Sequence, residues 1–299
     1  MMFHSYLFMF VFLPAVLAVF HGLRRHSIRW SVAWLLLASL AYYGWWSPKY
    51  AALLLGAGAV NFMIARRLRR ASHWLPLAAG IGFNLALLGY FKYAMFLSGT
   101  WSDLTGVQWR LSDIALPLGI SFFTFQQITY LNHAKDGKAS TGGLLEHALF
   151  TMFFPTMIAG PILHQSELLP RLLEKRHPAI GRDLAIGLTI FTLGLFKKVV
   201  LAETLAGYAD PAFNAAAGGA GITFIEAWAG ATAFTFQLYF DFSGYSDMAI
   251  GLARLFGLRL PANFNSPLKS TSIIEFWQRW HMTLTRFLTA YIFNPIVLR

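Results

Sequence analysis

The 299-residue chain contains no cysteine and few charged residues. Without cysteine there are no disulfides and no thiol catalysis, although the absence identifies no compartment. Asp, Glu, Lys and Arg make up 12% of the chain, against about 25% in an ordinary soluble domain. Acid is the scarcer sign: 13 Asp and Glu face 24 Lys and Arg, leaving a net charge of +11. Such a basic balance suits nucleic acid, but the arginines are grouped beside apolar runs. Arg24, Arg25 and Arg29 follow the first run, and Arg66, Arg67, Arg69 and Arg70 follow the third. Juxtamembrane clusters of this kind mark cytoplasmic loops and attract anionic lipid. The expected partner is therefore the lipid bilayer, with no nucleic acid. Also missing are a Walker loop, a dinucleotide fingerprint, an EF-hand and zinc-ligand spacing, so no metal site is expected.

What the chain does have is apolar length. Hydrophobic residues make up 57% of it, and mean hydropathy is +0.52. Trp30–Ala65 carries one charge, Lys49, and fits two spans joined by a Trp-Ser-Pro-Lys turn. The pattern predicts an all-α, polytopic membrane protein. Spans are expected over Ser5–Leu23, Trp30–Trp46, Tyr50–Ala65, Trp74–Leu97, Leu116–Leu131, Leu184–Leu205, Ile222–Phe240 and Ile273–Phe293. The positive-inside rule sends the first inward and alternates those that follow. Ser5–Leu23 lacks a basic leader and a convincing small-x-small cleavage site, and so reads as a retained helix. Two stretches fit spanning poorly. Ala148–Leu163 contains Pro155 and Gly160-Pro161, and Gly244–Phe256 follows an apparent break at Ser243-Gly244. Both are expected to be re-entrant or interfacial, because irregular backbone at membrane depth must be buried in protein or line a cavity.

The most informative stretch is Asn263–Phe293, NFNSPLKSTSIIEFWQRWHMTLTRFLTAYIF. Ser272 and Glu275 have capping-box spacing ahead of an apolar run, and Pro295 is expected to end the helix. About 20 residues would give roughly 30 Å of helix, enough to cross a bilayer core. On such a helix Trp277 and His281 would share a face, and Arg279 would pair with Glu275. An ionisable histidine at that depth is costly, which draws attention to a functional reading; from the residues alone, a structural histidine hydrogen-bonded to a neighbouring helix is the favoured account.

FWQRWHMTLTRFL (Phe276–Leu288) resembles the histidine motif of the membrane-bound O-acyltransferase family. Its bacterial branch, with alginate O-acetylation and D-alanyl transfer proteins, is the nearest in pattern. YFDFSGYSDMAIGLARLFG (Tyr239–Gly257), LPLGISFFTFQQITYL (Leu116–Leu131) and FFPTMIAGPILHQSELLPRL (Phe153–Leu172) resemble further family blocks, in family order. The resemblance implies a helical bundle with residues 1–115 as N-terminal transmembrane helices. Residues 116–299 would then be a family core, incomplete at its C-terminus. Family members carry a second histidine, generally treated as catalytic, in a later Trp-His-Gly-like motif. No Trp-His-Gly occurs here, which implies the N-terminal portion of a longer enzyme or a truncated copy.

The implied activity is O-acyl transfer. An acyl group, acetyl by the resemblance, would pass from acetyl-CoA or another thioester toward an extracytoplasmic polysaccharide such as an alginate-like polymer. The implied setting is the bacterial cytoplasmic membrane, crossed several times. No tightly bound cofactor is implied, and a periplasmic acyltransferase partner is. His281 is the candidate catalytic residue, acting with the second histidine. Trp277, Trp280, Arg279, Asp241 and Gln126 are candidates for lining the cavity, and Tyr291 shares the aromatic reading. Packing is the rival account for the tryptophans, Glu275 pairing for Arg279, and helix capping for Asp241 and Asp247. Gln126 and Gln127 are expected to hydrogen-bond across the bundle, and Lys197 and Lys198 to snorkel to headgroups. Asn263 and Asn265 are read as local turn residues. The remaining histidines, among them His73, His133, His147, His164 and His177, are placed at ends or in loops and given no role. Three other functions stay open: an inactive fragment or scaffold, D-alanyl transfer to a cell-wall polymer, and a transporter or channel.

Overall fold

The computed structural model describes residues 1–70, 74–107, 114–139, 142–174 and 180–297. His73, His177 and residues 108–113 lie outside the described residues. Among those described there is no strand, in keeping with an all-α protein. We number the helices α1 Phe8–His26, α2 Ile28–Gly44, α3 Pro48–Arg70 and α4 Trp74–Thr105. Then come α5 Ile120–Lys135, α6 Leu144–Met152, α7 Gln165–Leu172, α8 Ile180–Ala217 and α9 Phe224–Leu255. The last are α10 Ile273–Arg279 and α11 Met282–Leu288. The long helices α1, α3, α4 and α8 are each long and apolar enough to cross a membrane. They lie where sequence placed spans, although α4 and α8 run on past the expected ends through internal π turns at Gly89–Tyr93 and Phe196–Ala202.

The chain divides into two compact units. One comprises Met1, Ala18–Lys175 and Phe287–Arg299; the other comprises Met2–Leu17 and Arg176–Arg286.

In the first unit Tyr43, Leu54, Ile120, Phe123, Met152 and Met157 form a buried core. Several polar side chains buried near it pair across helices, as an apolar interior favours. Asn61 on α3 and Asn84 on α4 exchange amide hydrogen bonds at 3.1 and 2.6 Å. Gln126 Nε2 donates to the Phe150 carbonyl at 3.0 Å, and Gln127 Nε2 to Thr151 Oγ1 at 3.2 Å. These are the cross-helix bonds that the sequence led one to expect. His147 is a correction: it sits inside α6, fully buried, with Nε2 3.0 Å from the Gly58 carbonyl and its ring on Tyr130. His133 lies in the last turn of α5, at a helix end as expected. The stretch read as interrupted, Ala148–Leu163, is interrupted: α6 stops at Met152 and turns follow to Gly160. Met152, Phe153 and Phe154 there are buried, so the irregular backbone is enclosed by protein. Gly119 takes φ +74° under the Met157 carbonyl, which a Cβ would approach to 2.3 Å. Only glycine combines that angle with that approach.

The second unit is organised by α8 and α9, an antiparallel hairpin with a glycine seam. A Cβ on Gly187 would come 2.9 Å from the Gly251 carbonyl, and one on Gly251 2.5 Å from the Phe191 amide. Gly194 and Gly244 face each other's carbonyls in the same way, each at 2.7 Å from a built Cβ. Small residues two turns apart on both helices let the backbones touch, the packing device of apolar bundles. Ion pairs flank the seam: Asp183–Arg254 at 2.7 Å, Lys197–Asp247 at 2.6 Å, and Lys198–Asp241.

Three sequence readings are corrected here. Gly244–Phe256 is not a separate short element, because α9 runs unbroken for 32 residues. Ser243-Gly244 is a helix contact point, not a break. Lys197 and Lys198 pair with α9 carboxylates instead of reaching for headgroups. Asp241 and Asp247 accordingly lie in mid-helix, where neither serves as a cap. At the start of the chain Phe3 and Phe8 are buried, and Phe3 stacks on Tyr245 at 5.2 Å, which seats the N-terminal segment on α9.

Candidate active site

The expected single helix over Ile273–Phe293 is two helices. α10 ends at Arg279, Trp280 is extended at φ −93°, ψ 127°, and His281 is left-handed at φ +44° before α11 begins. No glycine or proline makes this break; tertiary hydrogen bonds do. Each backbone group freed by the interruption must find a partner. The Arg279 carbonyl accepts from the Asn265 amide at 3.0 Å, and the Met282 amide donates to the Asn263 carbonyl at 2.9 Å. Thr285 Oγ1 donates to the Trp277 carbonyl at 3.0 Å and lies 3.5 Å from that of Trp280. The His281 carbonyl opens α11 by accepting from the Leu284 and Thr285 amides. Residues 263–265 are thus zipped onto the kink.

Half of the expected capping box forms: Ser272 accepts from the Glu275 amide at 3.1 Å, while the Glu275 carboxylate takes the Thr271 amide at 2.8 Å in place of that of Ser272. Pro295 does not stop the chain's helical course, since Asn294–Val297 is helical. A π turn at Thr289–Phe293 precedes it, closed by the Asn294 amide on the Thr289 carbonyl. That shift of hydrogen-bond register puts proline's missing donor at a junction.

The break buries the imidazole. His281 is 6% exposed. Its ring meets Phe242 edge-on at 4.9 Å and lies 6.4 Å from Phe264. His281 Nδ1 is 3.0 Å from Asn263 Oδ1. The same oxygen accepts from Thr283 Oγ1 at 2.9 Å, and Asn263 Nδ2 donates to Ser246 Oγ on α9 at 3.2 Å. A carbonyl oxygen only accepts, so Nδ1 carries the proton and Nε2 of the neutral ring is the basic nitrogen. Asn263, Ser246 and Thr283 are all buried.

The remaining candidates separate. Trp280 stays beside His281 and packs among Phe276, Phe264, Phe242 and Tyr239. Trp277 does not share a face with His281, since the break rotates α10 away, and it is 54% exposed. Arg279 holds Glu275 at 2.6 Å, the pairing its spacing anticipated. Asp241 is engaged by Lys198. Gln126 belongs to the first unit, where with Thr151 and Thr156 it lines a cavity of about 10 Å³, room for about one water. Tyr291, on Phe287, is in that unit as well. The residue that sequence reasoning missed is Asn263. Its asparagine was read as local, yet it reaches 18 positions along the chain to His281.

The sequence profile of the membrane-bound O-acyltransferase family matches residues 71–299. The chain belongs to that family. It is 39% identical to the peptidoglycan O-acetyltransferase of Helicobacter pylori, over 99% of its own length and 62% of that protein's. It is 40% identical to the probable alginate O-acetylase AlgI of Pseudomonas aeruginosa, over 98% of its own length and 56% of that protein's. It is 28% identical to the teichoic acid D-alanyltransferase of Bacillus subtilis, over 68% and 52% respectively. The chain therefore spans 62% or less of the length of these relatives.

Proposed function

We propose that the chain forms part of a membrane O-acyltransferase that moves an acetyl group from a thioester donor, such as acetyl-CoA, to a hydroxyl of an extracytoplasmic glycan polymer. The proposed setting is the bacterial cytoplasmic membrane, crossed several times, with a periplasmic acyltransferase as the next carrier. The observation that carries this reading is the buried His281, with Nδ1 held on Asn263 Oδ1, inside a family block. In the proposed step Nε2, working as partner of the family's second histidine, helps take the proton of the attacking hydroxyl as its oxygen bonds to the acyl carbon. The carbon–sulfur bond then breaks, and the thiolate leaves and is protonated. Proton transfer by a positioned histidine contributes about 10²–10⁴-fold, and exclusion of water from the site would protect the thioester from hydrolysis. Acetyl is favoured over D-alanyl because the two O-acetylating relatives match nearly the whole chain at 39–40% identity, whereas the D-alanyltransferase matches 68% of it at 28%.

The test is His281→Gln in the full-length protein, with mass spectrometry of polymer from cells carrying each form. Loss of ester acetate with normal membrane abundance is expected. Wild-type acetylation by the variant would overturn the assignment.

A further inference from the structure

Neutral imidazole in water favours the tautomer with its proton on Nε2. A histidine that is to accept a proton at Nε2 must be held in the other form. In this structure the Asn263 side chain is placed to hold it. Asn263 Oδ1 receives His281 Nδ1 at 3.0 Å and Thr283 Oγ1 at 2.9 Å, while Nδ2 is spent on Ser246 Oγ at 3.2 Å. An amide can flip, and the hydroxyls of Ser246 and Thr283 would accept either orientation. The Thr283 backbone amide would not: it only donates and lies 3.4 Å from Oδ1, so the oxygen is the end turned to the imidazole. The main chain repeats the grip, since the Asn263 carbonyl accepts from the Met282 amide, next to His281. One residue therefore fixes both the left-handed turn and the ring's proton.

We propose that Asn263 is a positioning residue that locks His281 in the Nδ1–H tautomer and so directs Nε2 as the proton acceptor for acyl transfer. The proposal rests on the acyl-transfer reading of His281, and it is tested partly without activity. Full-length protein is labelled with ¹⁵N-histidine, and its ring signals are recorded in wild type and in Asn263→Asp and Asn263→Leu variants, with His281→Gln to assign the resonance. Wild type is expected to show Nδ1 protonated and Nε2 bare. Asn263→Asp keeps an acceptor in place, so it should keep that tautomer and hold kcat within about 10-fold. Asn263→Leu should release the ring to the Nε2–H form and lower kcat by on the order of 10²-fold or more, with little change in KM. A residue that merely packs would lower abundance or melting temperature while leaving tautomer and turnover per folded molecule unchanged, and that result overturns the proposal. Should the leucine variant fail to accumulate, the wild-type and aspartate spectra still decide: an Nε2–H ring in either overturns it. An active His281→Gln would sink the catalytic reading instead, leaving the tautomer result to be judged separately.

Discussion

Two regions of the second unit mirror each other. Ser243-Gly244 carries residues that usually interrupt helices, and α9 passes straight through it. Arg279–Met282 carries none, and the helix breaks there. The difference is in what surrounds each backbone. Gly244 faces the Gly194 carbonyl at a distance that only hydrogen in place of a side chain allows, so the glycine serves a helix crossing. At Trp280-His281 the intrahelical bonds are replaced by bonds from Asn263, Asn265 and Thr285. Local propensity is a weak prior, and close packing or a complete set of alternative hydrogen bonds overrides it.

The comparison breaks most sharply at the seam. Gly251→Leu should be the most damaging change, because even its Cβ would stand 2.5 Å from the Phe191 amide. A loss of about 3 kcal/mol or more is expected, read as a lower melting temperature in detergent. Gly22→Ala is the control: nothing lies within 4 Å of its added carbon, so melting should hold or rise slightly. If Gly251→Leu melts as the wild type does, the seam is not what joins α8 to α9.

Next comes the kink itself. His281→Val puts a β-branched residue at φ +44° and should cost about 1–3 kcal/mol. His281→Gly should keep the turn and melt closer to wild type, while losing acyl transfer. Equal stability of the two would contradict a left-handed turn at this position.

A smaller effect is expected from Lys197→Met, which leaves Asp247 unpaired on a face about 30% exposed. Adding Asp247→Leu should recover most of the lost stability, because removing both partners leaves no uncompensated charge. No recovery in the double variant would argue against the pair as a packing contact. The smallest expected change is Thr285→Val, which removes the hydroxyl bound to the Trp277 carbonyl. It should cost about 1 kcal/mol; no change in melting would mean the carbonyl is satisfied without it.

These contrasts also mark what the sequence could and could not carry. Apolar length and arginine clusters placed the long helices α1, α3, α4 and α8 correctly, because membrane crossing depends on composition over many residues. Ser272 and the Glu275–Arg279 pair were legible, being local bonds at fixed spacing. His281 was found through its motif. Asn263 was not, because no periodicity links positions separated by a loop and a helix. The α8–α9 ion pairs were hidden for the same reason. Lys197 and Lys198 looked stranded in an apolar run until α9 supplied Asp247 and Asp241.

The most direct test is a density map of the full-length protein in a lipid nanodisc, resolved well enough to place side chains at residues 263–297. The account predicts that the chain turns between Arg279 and Met282, with the His281 ring buried and its Nδ1 about 3.0 Å from the Asn263 side chain. An unbroken helix from Ile273 to Phe293, with the imidazole turned away from Asn263, would contradict it.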